Sequence, residues 1–344
     1  MVKAMNNKKP EYKIVVLDHT FELDMEKKEI EDFGGKLIDP RCGWNDEAGI
    51  IAAAKDAHAI LSQNAVLTRK VIESLSECRI IVCYGVGVEI VDLKAATENG
   101  IIVANVPDYC INEVSDHAMA LILSCLRRIT RETTAIKKNP KGLTYGGPLF
   151  PPVFKLKGQV LGLAGFGNVA RRLAVKARPF GFKIIAYDPF VPGETFKRYK
   201  VGRVTLDNLL KRSDVVSLHL PLNKKTNKLI GARELGKMKR NAFLINTARG
   251  QIVDEGALYK ALAKGRLAGA GVDVTVSEPI NPDNPLLKLD TFIITNHIGY
   301  YSEGCLEEVR TKAMGEVKRV LSGKLPRPAA FVNPQVKRRK SDDR

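Results

Sequence analysis

Along the chain, short runs of consecutive apolar and mostly β-branched residues alternate with stretches whose apolar positions recur every three or four residues. Runs that lack the polar alternation of a half-exposed strand belong to strands covered on both faces, so the pattern predicts parallel sheets flanked by helices. In the first third the candidate strands are KIVVLD (13–18), KLID (36–39), AIL (59–61), RIIVCY (79–84) and IIVANV (101–106). NEVSDHAMALILSCLRRI, which begins beside Pro107 and Asp108, reads as a long helix and its start as a hinge. The connector KKNPKGLTYGGPLFPPVFKLKG (137–158) reads as irregular because of its prolines and glycines. A second series follows, with QVLGLAG, KIIAYD, VVSLHLP, AFLINTA, AGAGVDV and FIITNH as six candidate strands. The last helical pattern, SEGCLEEVRTKAMGEVKRVLSG, lies beyond the sixth strand. It is able to return the chain to the first domain, which would make that domain discontinuous, with a second hinge near Ser302.

With 344 residues, 44% of them apolar, the chain supports two domains, each with its own core. The opening MVKAMNNKKPEYKIVVLD is polar and then strand-like, and no run is long and apolar enough for a signal peptide or a membrane span, so a cytoplasmic protein is expected. The six cysteines form no Cys-x-x-Cys pair, and free thiols without a structural metal are expected. A net charge of +17 raises the prospect of anionic partners. The basic residues are spread along the chain, however, and the densest cluster, VKRRKSDDR (336–344), reads as a solvated tail. With no nucleic-acid-binding motif and few clustered aromatic residues, the charge points to small anions rather than to nucleic acid.

The stretch VLGLAGFGNVARRLA (160–174) sets Gly165 and Gly167 between a strand and an amphipathic helix, with Ala170 at the third position of a G-x-G-x-x-G/A pattern. Backbone amides and a helix N-terminus there face any anion lying on the turn. At the end of the next strand Asp188 falls 21 residues after Gly167, the spacing of the carboxylate that binds an adenosine ribose in dinucleotide sites. Six parallel strands is also the number a full dinucleotide-binding sheet requires. A carboxylate accepts from a ribose 2′-hydroxyl and repels a 2′-phosphate, and the following PFVPG carries no arginine, so NAD is expected rather than NADP.

Three later segments put a polar residue at the carboxyl end of a strand, where open α/β sheets bind ligands. LINTARG carries Arg249, AGVDVTVSEP carries Asp273 and Glu278, and ITNHIGYYSEG carries His297. A guanidinium binds a carboxylate through two parallel hydrogen bonds and fixes its orientation. An imidazole exchanges a proton with a reacting oxygen, and a carboxylate beside an imidazole favours its charged form. His219 in SLHLP reads as structural or cofactor-lining, and His19, His58 and His117 give no functional signal.

These segments, together with GFGNVAR, HLPLNKKTNKLI and GQIVDEGALYKAL, resemble the D-isomer-specific 2-hydroxyacid dehydrogenases, the family of phosphoglycerate dehydrogenase and D-lactate dehydrogenase. YGVGVEIVDLKAATENG, VPDYCINEVSDHA and HIGYYSEG most resemble the branch that includes the C-terminal binding proteins. The resemblance implies two doubly wound parallel-sheet domains, with a Rossmann NAD-binding domain (111–304) inserted in a flavodoxin-like substrate domain (1–110 and 305–344). It implies that Arg249 grips the substrate carboxylate, that His297 exchanges the proton and that Glu278 pairs with His297. Substrate contacts are implied at Val86, Gly87 and Tyr300, and cofactor contacts at Asn168, Val169, Asp188, Pro221, Thr226, Thr247, Ala248 and Asp273 beside the two glycines. Asn296 stands where the family has proline, and Glu89 and Ile90 replace an acidic-then-amide pair in the substrate loop. A homodimer acting on a small D-2-hydroxy acid or its 2-oxo acid is expected, with an NAD-sensing corepressor as the alternative.

Overall fold

A computed structural model of the chain describes residues 12–140 and 149–337. The opening segment, the centre of the 137–158 connector and most of the basic tail lie outside the described residues. The chain begins with β1 (Tyr12–Val16), α1 (Asp24–Phe33), β2 (Gly35–Ile38), α2 (Glu47–Ala54), β3 (Ala59–Ser62), α3 (Arg69–Ser74), β4 (Ile80–Cys83), α4 (Leu93–Glu98) and β5 (Ile102–Ala104). It continues through α5 (Ile111–Leu126), α6 (Ile129–Lys138), β6 (Val160–Ala164), α7 (Asn168–Ala177), β7 (Lys183–Tyr187), α8 (Gly193–Arg198), β8 (Gly202–Arg203), α9 (Leu206–Arg212) and β9 (Val215–Leu218). It ends with α10 (Ala232–Lys237), β10 (Phe243–Asn246), α11 (Glu255–Ala263), β11 (Gly269–Val272), β12 (Phe292–Ile294) and α12 (Glu303–Leu321). Two compact units result, one of residues 1–109 and 302–344 and the other of residues 110–301.

The first unit holds a parallel sheet in the order β2-β1-β3-β4-β5, the doubly wound order of flavodoxin. β3 and β4 are buried at every position, as their unbroken apolar runs require. Helices start where a side chain takes an otherwise unpaired amide: Asp46 accepts from Gly49, Thr68 from Val71, Asp92 from Ala95 and Ser302 from Cys305. α12 belongs to this unit and packs on β3 and β4. Beyond it, Val332 donates its amide to Val103, and Asn333 takes the Val103 amide at 2.8 Å while donating to the carbonyl of Ile101 at 3.0 Å. The segment after α12 thereby covers the outer edge of β5.

The second unit is a parallel sheet in the order β12-β11-β10-β9-β6-β7-β8. Among the described residues it has seven strands, not the six expected from the sequence. The addition is β8, two exposed residues, Gly202 and Arg203, whose brevity leaves no apolar pattern to read. Counted from β6, the first six strands run 3-2-1-4-5-6, the order of dinucleotide-binding sheets. FIITNH is thus the seventh strand, added at the far edge. Alternate side chains feed two cores. Leu161, Leu163 and Ile245 meet Ala118, Ile122 and Leu173 on one face. Leu218 and Leu244 meet Leu209, Leu235 and Leu258 on the other. The long helical pattern divides into α5 and α6 at Arg128, whose φ of 59° lies in the left-handed region.

Candidate active site

At the carboxyl end of β6 the chain turns sharply into α7. Gly165 has a φ of 91°, and a Cβ on it would lie 2.4 Å from the carbonyl oxygen of His219, so only glycine lets this turn pack against the loop after β9. Gly167 differs. Among the described residues a Cβ there would meet nothing within 4 Å, and no side chain caps α7. The first amides of the helix, beginning at Asn168 and Val169, are left to whatever approaches that open space. Ala170 is fully buried, which seats the helix against the sheet. His219 is half-buried; burial of its ring pushes its pKa down to about 4, so it is neutral, with Nε2 2.9 Å from the Ser217 hydroxyl.

Asp188 stands at the end of β7, where the spacing placed it. One carboxylate oxygen accepts the Phe166 amide at 2.9 Å, and the other accepts the amides of Phe190 (2.9 Å) and Val191 (3.2 Å). It joins the glycine turn to the next loop, and its remaining lone pairs are available to hydroxyl donors. Pro221 and Thr226 close one turn after β9, with the Thr226 hydroxyl donating to the Pro221 carbonyl at 2.6 Å. After β10, the buried Thr247 hydroxyl has no hydrogen-bond partner among the described residues, and Ala248 is half-buried beside it. Orphaned amides, a cradle left open at Gly167 and an orphaned hydroxyl suit a dinucleotide lying along the ends of β6, β7, β9 and β10.

β10, β11 and β12 are neighbours, so the loops that follow them lie side by side. Asn246, 1% exposed, ties the first loop: its amide donates to the Arg249 carbonyl at 2.9 Å and its oxygen accepts from Ala248 at 3.0 Å. Gly250 permits this loop to press on the next, since a Cβ there would lie 2.0 Å from the carbonyl carbon of Thr275. Glu278 accepts the Thr275 amide at 3.1 Å through one oxygen and meets His297 Nδ1 at 2.7 Å through the other. Burial pushes the Glu278 carboxyl up, but its hydrogen bond with His297, the charge of that ring, the Thr275 amide and the Arg249 guanidinium outweigh it, and the net direction is down. Arg249, Glu278 and His297 therefore share one electrostatic neighbourhood. Tyr300 stands edge-on to His297, ring centroids 6.4 Å apart.

Asp273, 3% exposed, organises the turn that carries His297. Its carbonyl accepts the His297 amide at 2.8 Å, and its carboxylate accepts the amides of Ile298 (3.0 Å) and Gly299 (2.8 Å) and the Thr295 hydroxyl (2.5 Å). Burial pushes this carboxyl up, yet donors from His117, Thr295 and Gly299 pull it down to about 2. Asp273, expected from the sequence as a cofactor contact, also holds this turn. Asn246, Thr295 and His117 were missed. Val86 and Gly87 lie on the loop after β4 in the first unit, where the Val86 carbonyl accepts from Asn105 at 2.7 Å.

The sequence profile of the D-isomer specific 2-hydroxyacid dehydrogenase NAD binding domain matches residues 119–299. The chain belongs to the D-isomer specific 2-hydroxyacid dehydrogenase family. The match lies within the second unit and contains the glycine turn, Asp188, Arg249, Asp273, Glu278 and His297. D-3-phosphoglycerate dehydrogenase of Methanocaldococcus jannaschii is 37% identical over 278 residues, 80% of this chain and 52% of that protein. Glyoxylate reductase of Korarchaeum cryptofilum is 38% identical over 260 residues, 74% of this chain and 78% of that protein. The chain thus spans about half the length of the first of these dehydrogenases. A D-lactate dehydrogenase from Aquifex aeolicus, solved with NAD and lactic acid, matches with a TM-score of 0.82 at 29% identity, covering 93% of this chain and 99% of that one.

Proposed function

We propose that this member of the family is an NAD-dependent oxidoreductase that interconverts a small D-2-hydroxy acid and its 2-oxo acid. The observation that carries the reading is the 2.7 Å contact between His297 Nδ1 and Glu278, with the charge of Arg249 acting on the same carboxylate. A carboxylate-binding cation, an acid-supported imidazole and a dinucleotide turn are the three requirements of 2-oxo acid reduction. NADH held at the Gly165–Val169 turn would supply the hydride that the carbonyl carbon needs. The Arg249 fork holds the substrate carboxylate and so turns the oxo group to a fixed direction. Because Nδ1 of His297 is taken by Glu278, Nε2 is the atom that hands a proton to the oxo oxygen. Glu278 keeps its charge and stabilises the imidazolium before the transfer. The edge of Tyr300 walls the space beside the ring.

The second unit holds the dinucleotide in this proposal, and Val86 and Gly87, on the loop after β4, are proposed as substrate-binding residues. Asp188 selects NAD, since the three amides on its carboxylate fix a negative charge where NADP carries its 2′-phosphate. The test is NADH oxidation against glyoxylate, hydroxypyruvate, pyruvate, phenylpyruvate and 2-oxoglutarate. His297→Ala should lower kcat by at least about 100-fold, and Arg249→Ala should raise the KM for the oxo acid and lower kcat together. Unchanged turnover in either variant removes that residue from the mechanism. A homodimer is part of the same proposal, and light scattering at micromolar concentration should give twice the chain mass.

A further inference from the structure

His117 sits on α5, far in sequence from the strand-end loops, and gives no functional signal in the sequence. Its Nε2 lies 2.8 Å from the Thr295 hydroxyl oxygen and 3.3 Å from Asp273 Oδ1. The Thr295 hydroxyl has one proton, and the 2.5 Å contact commits it to Asp273. Thr295 is therefore the acceptor toward His117, and Nε2 of His117 must be the protonated nitrogen. His117 thus serves as the outermost donor of a relay that runs from α5 through Thr295 to Asp273. From Asp273 the relay reaches the three successive amides of His297, Ile298 and Gly299.

The turn at the end of that relay needs holding. His297 has a φ of 50°, a left-handed conformation that a side chain other than glycine adopts at a cost of about 1 kcal/mol or more. The next anchor is equally close-fitting: a Cβ on Gly299 would lie 2.8 Å from Asp273 Oδ2 and 3.3 Å from Cδ2 of His117. The imidazole and the carboxylate thus close around Gly299 from two sides.

We propose that His117 is a positioning residue for His297: by donating Nε2–H to Thr295 and Asp273 it holds the left-handed turn that aims the proton-transferring imidazole at the substrate oxygen. The inference rests on the reading of His297 as the group that moves the proton. His117 itself does not touch substrate. Loosening the turn misdirects His297 without altering the carboxylate clamp at Arg249, so the loss falls on kcat and not on substrate binding. A misplacement of about an ångström at a reacting group costs up to ~100-fold in rate.

The experiment compares His117→Leu, which removes the donor at similar volume, with His117→Gln, whose side-chain amide places an N–H near the position of Nε2. The expected result is a kcat lowered about tenfold or more in His117→Leu, a KM for the oxo acid changed less than about threefold, and substantial recovery of kcat in His117→Gln. In parallel, nitrogen NMR of the unliganded protein should show the His297 ring signals moved in His117→Leu and restored in His117→Gln. Equal loss in both variants overturns the proposal, because the donor would not be the part that matters. Unchanged kcat and unchanged His297 signals in His117→Leu overturn it as well. Should His117→Leu not fold, Thr295→Val removes the relaying hydroxyl at constant shape, and full activity in that variant counts against the relay. If the wild-type chain reduces none of the oxo acids, the proposed function fails, while the His297 signals still decide whether His117 orders the turn.

Discussion

At the scale of single residues, the groups most legible in the sequence were those for which chemistry and position coincide. Arg249, Glu278 and His297 each follow an apolar strand, and a strand end of a parallel sheet is where polar side chains converge. His117 could not be read that way, because its meaning depends on which turn α5 is packed against, and that is a tertiary fact. Asn246 carried a local signal, an amide able to bond its own loop two and three residues on, but a signal so common that it singles out nothing. Asp273 shows how a buried carboxylate is kept charged by its donors. Its folded value of about 2 lies below the ordinary 3.8, so its stabilising effect is complete above about pH 4 and is lost as pH falls toward 2. Asp273→Asn should therefore destabilise the chain by about 2 kcal/mol at pH 7. Urea midpoints measured between pH 7 and 2.5 should show the gap between variant and wild type closing at the acid end. A constant gap would mean that the carboxylate's charge is not what holds the turn.

At the scale of elements, the glycine turn separates packing from ligand approach within three residues. Gly165→Ala forces a Cβ into the His219 backbone at a positive φ and should lower the melting temperature of the unliganded protein, with a cost of at least ~2 kcal/mol. Gly167→Ala projects into open space and should melt as the wild type does, yet bind NADH at least about tenfold more weakly by fluorescence titration. If both variants melt alike and bind alike, the two glycines do not divide the work in this way. Most strands were legible because continuous apolar runs between polar turns have few other uses. β8 was not, since two exposed residues pair with β7 only because that strand is already in place. The end of α5 was equally hidden: nothing in SCLRRIT announces that Arg128 turns left-handed.

At the scale of the whole molecule, the discontinuity of the first unit was legible from the order of patterns, a helix left over after the last strand. What the pattern did not reveal is how the segment after α12 covers β5. An apolar strand at a sheet edge is a template for unwanted pairing unless something occupies it. Ending the chain after Lys324 should uncover that edge and remove the bonds of Asn333. The only tryptophan, Trp44, lies in this unit, so its fluorescence reports the transition directly. The truncated chain should melt at least about 5 °C lower by this signal. A coincident transition would show that the covering segment contributes nothing.

The same arrangement carries a consequence for biosynthesis. A ribosome delivers β1 to β5 first, yet the residues that shield β5 and the helix that packs on β3 and β4 arrive only after the entire second unit has been made. During translation β3, β4 and β5 are therefore made before the helix and the segment that cover them in the finished chain.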